Sequence, residues 1–378
     1  MFVENRTLFR FNRLILLNLP ILFRWLSFSR SYKKRLLVIK VDEIGDYVLV
    51  RNFIEILKGS DKYRDFEIEL LGNNVWKDLT ETYDSQWLTD FIFVNPENLY
   101  SSPIKTWRIA WKLFKKDYQA VLQPTSSRSF ICDVLAGFTA APQIIGFESD
   151  TERIYKKYKK KTDKFYTEKL LLPKDIHFEF ERNRYFFEQI INTKVLLPKP
   201  TLPTNSERKN IITIFPGAGS VKRQWGKENF VSLIELILNN TTCLVHLGGG
   251  KSEMDYGNFI VSKLLSDRII NSIGQTTLTE LVELIASSKC VITNETSAVH
   301  LAAACEIPTI CILGGGHYER FSPYPSSISS GLFFIYEKWS CFNCNWNCIY
   351  GTEKKEPYPC VAINSVQKVW DAFNTIIA

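Results

Sequence analysis

A short polar turn, Asn294–Ser297, stands between an apolar run, Cys290–Thr293, and a small-residue helix expected over Ala298–Glu306. It gathers Glu295, Thr296 and Ser297, with His300 one helical turn further on. The free N–H groups and dipole of a helix start favour an anion, so an acid, two hydroxyls and an imidazole there suit a phosphate-bearing ligand. The same residues would serve a purely structural turn as helix caps, with His300 a buried core histidine.

Three further stretches carry chemistry of the same kind. In FPGAGSVKRQW the small residues Gly217, Ala218 and Gly219 let backbone N–H groups approach a phosphate, and Lys222 and Arg223 supply positive charge. This is neither a Walker loop nor GxGxxG, and an ordinary loop is the alternative. In LGGGKSE, Glu253 falls near a helix start, where a carboxylate can meet a ribose diol or simply favour the helix dipole. In EIGDYV, Asp46 follows a strand end and is either a helix N-cap or a base that takes a proton from an attacking hydroxyl. The tail adds Cys341, Cys344, Cys348 and Cys360, whose spacing begins like a zinc site and does not continue like a ribbon or finger. Structural zinc and reduced or redox-active thiols both fit, and no metal is assigned.

The elements that must position these residues alternate between buried strands and helices. LLVIKV, FEIELLG, FIFV, AVLQP and QIIGF read as strands of a first half, with helices over Tyr47–Lys58 and WRIAWKLFKK. VLLPKPTLPTNSERK, rich in proline and without periodicity, reads as a linker. NIITIF then opens a second half of the same α/β grammar, and such alternation predicts parallel sheets with ligands beyond the carboxyl ends of their strands.

With 378 residues, two domains are expected; 45% hydrophobic and 23% charged residues are ordinary for a soluble globular chain. Nine cysteines, most of them inside apolar runs, point to a reducing cytosol. The net charge of +7 is unevenly spread. Arg6, Arg10, Arg13, Arg24, Arg30, Lys33, Lys34 and Arg35 face only Glu4 and flank LILLNLPILF, a run too short and interrupted to span a bilayer. A basic amphipathic segment on an anionic inner leaflet fits, as does a helix packed on the first domain. RIYKKYKKKTDKFYTEK is a solvated surface or a patch for a polyanion, and no nucleic-acid module is present to make that partner a nucleic acid.

In their order and spacing, IGD, PGAGSVKRQW, GGGKSE, IGQTTLTELVELI, NETSAVHLAAA and the GGG strand end resemble glycosyltransferase family 9, the ADP-heptose:lipopolysaccharide heptosyltransferases. The resemblance runs from Leu36 to the C-terminus. It implies a GT-B fold of two Rossmann-like domains facing across a cleft. A basic extension would span residues 1–35, an acceptor domain 36–200, a donor domain 201–360, and a C-terminal helix over 361–378 would return to the first domain. It also implies metal-independent, inverting transfer with no cofactor, the donor being a nucleotide sugar, ADP-heptose in this family. The acceptor would be a lipopolysaccharide core or related anionic glycan at the inner face of the cytoplasmic membrane. By position Asp46 matches the catalytic base and Arg223 a phosphate-binding lysine, with Lys222 one residue displaced. Glu253 matches the nucleoside acid, and Thr296 and His300 match residues near the diphosphate and sugar. The family's Asp-[Ser/Thr]-Gly reads Glu295-Thr296-Ser297, a departure that bears on the donor sugar. Two alternatives are a transferase using another nucleotide sugar for capsule or O-antigen assembly, and a catalytically silent nucleotide-sugar binding subunit.

Overall fold

The computed structural model describes residues 6–329, 331–350, 352–353 and 356–377; Glu4 lies outside them. The chain divides into two units, the first running to Ile176 and again over Phe180–Leu196, the second comprising His177–Glu179 and the chain from Leu197 onward.

In the first unit α1 (Arg6–Leu26) precedes β1 (Lys33–Lys40), α2 (Ile44–Val48), α3 (Asn52–Gly59), β2 (Glu67–Asn73), α4 (Lys77–Tyr83) and β3 (Asp90–Val94). There follow α5 (Pro96–Ser101), α6 (Pro103–Phe114), β4 (Tyr118–Gln123), α7 (Phe130–Phe138), β5 (Gln143–Phe147), α8 (Lys156–Thr162), β6 (Glu168–Leu170) and most of α9 (Glu179–Ile191). The second unit holds β7 (Ile211–Phe215), α10 (Lys227–Asn240), β8 (Leu244–Leu247), α11 (Met254–Leu264), β9 (Ile269–Asn271), α12 (Leu278–Ala286) and β10 (Cys290–Asn294). It closes with α13 (Ser297–Ala304), β11 (Thr309–Ile312), β12 (Leu332–Ile335), α14 (Pro359–Ala362) and α15 (Val366–Ile377).

Each unit is built on a parallel six-stranded sheet, ordered β3-β2-β1-β4-β5-β6 and β9-β8-β7-β10-β11-β12. The two orders are the same. Successive strands are added outward in one direction from β1 and in the other from β4, and likewise on either side of β7 and β10; crevices at such reversals of order are where doubly wound sheets bind ligands. The central strands are near-continuous apolar runs because helices cover both faces: Leu36–Ile39 and Cys290–Ile292 are all buried.

One expectation changes, and both ends of the chain find their places. The helix expected over Tyr47–Lys58 is two helices, α2 and α3. The turn between them buries Leu49, Val50 and Arg51 in succession, which the single inward stripe of one helix cannot do. The N-terminal helix packs on the first unit, one of its two expected roles: Phe9, Leu16, Leu19 and Phe23 of α1 belong to that unit's core, and Phe23 stacks on Phe114 with ring centroids 4.3 Å apart. The C-terminal helix α15 buries Val369 and Phe373 in the second unit's core beside α10 and β11, with Ile234, Ile237 and Ile310 in the same cluster.

Candidate active site

Asp46 lies in the first turn of α2 without capping it; Glu43 occupies the cap position, and its side chain makes no capping bond. The plain capping role is therefore set aside. One carboxylate oxygen of Asp46 is 3.8 Å from the ammonium of Lys40, the last residue of β1, which is wholly buried. Lys40 is balanced by Asp42 at 3.1 Å. Asp42 also accepts hydrogen bonds from the Thr125 hydroxyl at 2.6 Å and from Arg153 at 2.5 Å. Thr125 follows β4, so this network straddles the β1/β4 reversal. Burial resists a charge on Asp42, but Lys40, Arg153 and Thr125 together outweigh it and hold its carboxyl well below the usual range. Arg153 is held high, chiefly by Asp42 and against its own desolvation, with Asp46 contributing. Of Lys40, Asp42 and Asp46, only Asp46 reaches solvent, its side chain 16% exposed. The backbone beside it is fixed by Tyr47, which stacks on Trp76 at 4.0 Å, while the Trp76 indole donates to the Asp42 carbonyl at 3.0 Å.

In the second unit Asn294, the buried last residue of β10, ties two loops together. Its amide donates to the Pro216 and Gly217 carbonyls at 2.8 and 2.9 Å, and its oxygen accepts from the Trp225 N–H at 2.9 Å. The small-residue turn after β7 is thus sewn across the β7/β10 reversal. Ala218 is buried within it and accepts from Gln224 at 3.2 Å. A Cβ on Gly217 would stand 2.3 Å from the Glu253 carboxyl, so a larger residue there would displace that side chain. Gly219 is different: a Cβ would meet nothing within 4 Å, so open space flanks its backbone. Glu253 accepts from its own Gly250 N–H at 2.8 Å, and burial raises its pKa against that bond.

The two basic residues of this turn diverge. Arg223 donates to the Glu295 carbonyl at 2.7 Å and lies 4.5 Å from the centroid of the Trp346 ring. Lys222 turns to the tail, donating to Thr352 at 3.0 Å. Thr296 caps α13, accepting from the Ala298 N–H at 3.3 Å, and Ser297 is the first helical residue, partly exposed. Glu295 is buried, and that burial pushes its carboxyl up to about 7, opposed by Arg223 and the Gly314 N–H. Burial likewise pushes His300 down to about 4, so its ring is neutral near pH 7. Its Nδ1 lies 2.8 Å from the Tyr324 hydroxyl. Desolvation holds that phenol far above its usual pKa, so it keeps its proton and pairs with Nδ1 as donor or as acceptor according to the imidazole tautomer.

The profile of Glycosyltransferase family 9 (heptosyltransferase) matches residues 106–345, well over half of the sequence. The chain belongs to this family. Among curated relatives, lipopolysaccharide heptosyltransferase 2 of Salmonella typhimurium is 32% identical over 114 residues, 29% of this chain and 32% of the relative. Lipooligosaccharide heptosyltransferase 2 of Campylobacter jejuni is 28% identical over 153 residues, 37% of this chain and 47% of the relative. The matched part therefore spans from a third to about half the length of these relatives. The solved ADP-heptose lipopolysaccharide heptosyltransferase II of E. coli superposes with a TM-score of 0.68 at 19% identity, covering 91% of this chain and 98% of that one. A family 9 glycosyltransferase from Veillonella parvula gives the same TM-score of 0.68 at 14% identity, covering 92% and 97%. At these identities the likeness establishes the fold, which is of GT-B type.

Several residues around the sites of this family 9 chain escape a reading of the sequence. Lys40 and Arg153 lie 113 positions apart and meet at Asp42. Asn294 reads as an ordinary turn residue until its three bonds are seen. Trp346, in the cysteine-rich tail, packs where a Cβ on Gly316 would be 2.2 Å from its ring, and Phe342 does the same at Gly315 with 2.3 Å. The glycines ending β11 thus seat the tail, and the tail in turn braces Arg223. Cys341, Cys344, Cys348 and Cys360 are free thiols around one small hollow, and among the described residues no three ligating side chains are grouped to hold a metal ion.

Proposed function

We propose that this chain is an inverting heptosyltransferase, moving a heptose from ADP-heptose to a lipopolysaccharide-core or related glycan acceptor at the inner face of the cytoplasmic membrane. Family membership and the names of the relatives support the reaction class. The observation that carries the donor assignment is the convergence at the β7/β10 reversal of a small-residue turn, the Arg223 guanidinium and the start of α13. In this reading Gly217, Ala218 and Gly219 offer backbone N–H groups to the diphosphate, and Arg223 rather than Lys222 meets its charge, since Lys222 is engaged with Thr352. With Tyr324 donating to Nδ1, the neutral His300 ring presents Nε2–H to a diphosphate or sugar oxygen without adding charge. Glu253 faces the nucleoside, and Thr296 and Ser297 border the sugar phosphate. As the bond from the sugar's anomeric carbon to the diphosphate oxygen breaks, negative charge gathers on the leaving nucleotide, where these donors stabilise it. Asp46 takes the proton of the acceptor hydroxyl as its oxygen bonds to that carbon from the opposite side, which inverts the configuration.

A second reading, transfer of a different sugar from another nucleotide, is favoured by one observation: Glu295 and Ser297 stand where the resemblance leads one to expect a shorter acid and a glycine. Thermal-shift measurement against ADP-, GDP-, UDP- and TDP-sugars, followed by a transfer assay with the best binder, decides between them. A donor at 100 times its Kd adds about 2.7 kcal/mol of stability. ADP-heptose is expected to give the largest shift and to be consumed with an acceptor. Binding without transfer or hydrolysis would mark a silent nucleotide-sugar binding subunit instead.

A further inference from the structure

We infer that the first unit carries a two-helix docking surface for an anionic bilayer, made by the outward faces of α1 and α6; the inference rests on the reading that the acceptor is membrane-anchored.

Both helices are apolar on two sides. Inward, α1 buries Phe9, Leu16, Leu19 and Phe23, and α6 buries Ile109, Ala110 and Leu113. A surface helix normally turns polar residues outward. Here α1 turns out Phe11, Leu14, Ile21 and Trp25, the last 74% exposed, with Phe28 just beyond it 97% exposed. In α6, Ile104, Trp107 and Trp111 recur at helical spacing on the outer side. The two helices are neighbours: the inward ring of Phe23 on α1 lies 6.5 Å from Trp107 and 6.2 Å from Trp111 of α6. So large a run of exposed apolar side chains marks an interaction surface.

Charge identifies the occupant. Neither helix contains an Asp or Glu. Arg10 and Arg24 on α1 and Arg108 on α6 are exposed and enter no ion pair among the described residues. An open groove of about 430 Å³ is lined by Trp107, Arg108, Trp111, Lys112, Lys115 and Lys116, although Lys116 is already paired with Glu69 and Asp90. On the other flank Arg13 donates to the Tyr158 hydroxyl at 2.8 Å, tying α1 to α8, whose Lys156, Lys157, Lys160 and Lys161 are exposed. A second copy of this face would set like charge against like. Tryptophans and aliphatic side chains ringed by cations match the boundary between anionic headgroups and acyl chains. No helix among the described residues is long and apolar enough to cross a membrane, so the predicted attachment is lateral.

The test is flotation of the full chain with vesicles of phosphatidylglycerol in phosphatidylcholine and with phosphatidylcholine alone, in the absence of donor and acceptor. The chain is expected to float with the anionic vesicles and to be released by salt. Trp25→Ser combined with Trp107→Ser, and separately Arg24→Glu combined with Arg108→Glu, are each expected to weaken vesicle binding at least about tenfold. Both pairs should melt like the wild type and turn over a water-soluble acceptor fragment normally. Absence of binding to anionic vesicles, or undiminished binding of both variants, overturns the proposal. So does a dimer in sedimentation that Trp25→Ser disperses, which would give the face to a second copy. A chain that floats as expected but transfers no sugar refutes the proposed reaction and leaves this surface standing, so the two failures are distinguishable.

Discussion

Asp46, Arg223 and Glu295 are the residues on which the proposed chemistry can be broken one at a time. Asp46→Asn keeps the volume and removes the base, so kcat should fall by about 10²–10⁴ with the melting temperature and donor affinity unchanged; turnover near wild type would assign the proton transfer elsewhere. Arg223→Ala should lower kcat by about 10²–10³, while Lys222→Ala stays within a few-fold, because only Arg223 lies against Glu295. Steady-state kinetics of the pair checks this, and the reverse order would exchange their roles. Glu295 makes a prediction about pH. Its carboxyl is raised from 4.5 to about 7, so between those values the unfolded chain ionises it more readily and stability falls as pH rises. Below the window both states hold the proton, and above it the loss is complete, roughly 3 kcal/mol. Glu295→Gln lacks this cost, so its stability advantage over the wild type should grow by that amount from pH 4.5 to 8 in denaturant titrations. A flat difference would show that Glu295 ionises normally. His300, lowered to about 4, acts in the opposite sense, its contribution being lost as pH falls below 6.5, but it is common to both proteins and cancels.

At the scale of elements, loops that the sequence leaves anonymous become supports. The tail over Trp339–Cys348 packs its aromatics on the glycines that end β11, and through Trp346 it reaches Arg223. Trp346→Ala should destabilise the second unit by ~2 kcal/mol, less than a fully buried tryptophan, and raise KM for the donor as Arg223 loses its platform. Unchanged donor kinetics in a destabilised protein would make the tail a packing element alone. Helix α1 makes the same point for the first unit. Phe23→Ala removes a ring stacked on Phe114 and should cost ~3 kcal/mol by denaturant titration; a cost near zero would mean α1 lies on the unit rather than in it.

Over the whole molecule, the same strand order appears twice, and each copy puts its polar cluster at its own reversal point: Lys40, Asp42 and Thr125 in the first, Asn294 and Arg223 in the second. Much of this was legible from the chain. Short apolar runs alternating with amphipathic stretches require buried strands under helices, and the expected strand, turn, helix and strand from Cys290 to Leu313 correspond to β10, α13 and β11. The family pattern is also linear information, which is why the candidate residues could be named before any contact was known.

What sequence periodicity could not carry is the partner of each group. Asp46 reads as a cap until Glu43 is found in that position, and Lys222 and Arg223 read alike until one turns to Thr352 and the other to Glu295. The N-terminal helix has apolar residues on both sides, so its pattern allowed either packing or a membrane; the fold buries one side and leaves the other open. The C-terminal helix had an apolar stripe whose match lies in α10 and β11, elements distant in sequence. Local pattern sets which faces must be buried, because water excludes them whatever the partner. Which surface buries them, and the protonation state that burial then imposes on Glu295 and His300, depends on contacts between segments far apart in the chain, and only the tertiary structure decides those.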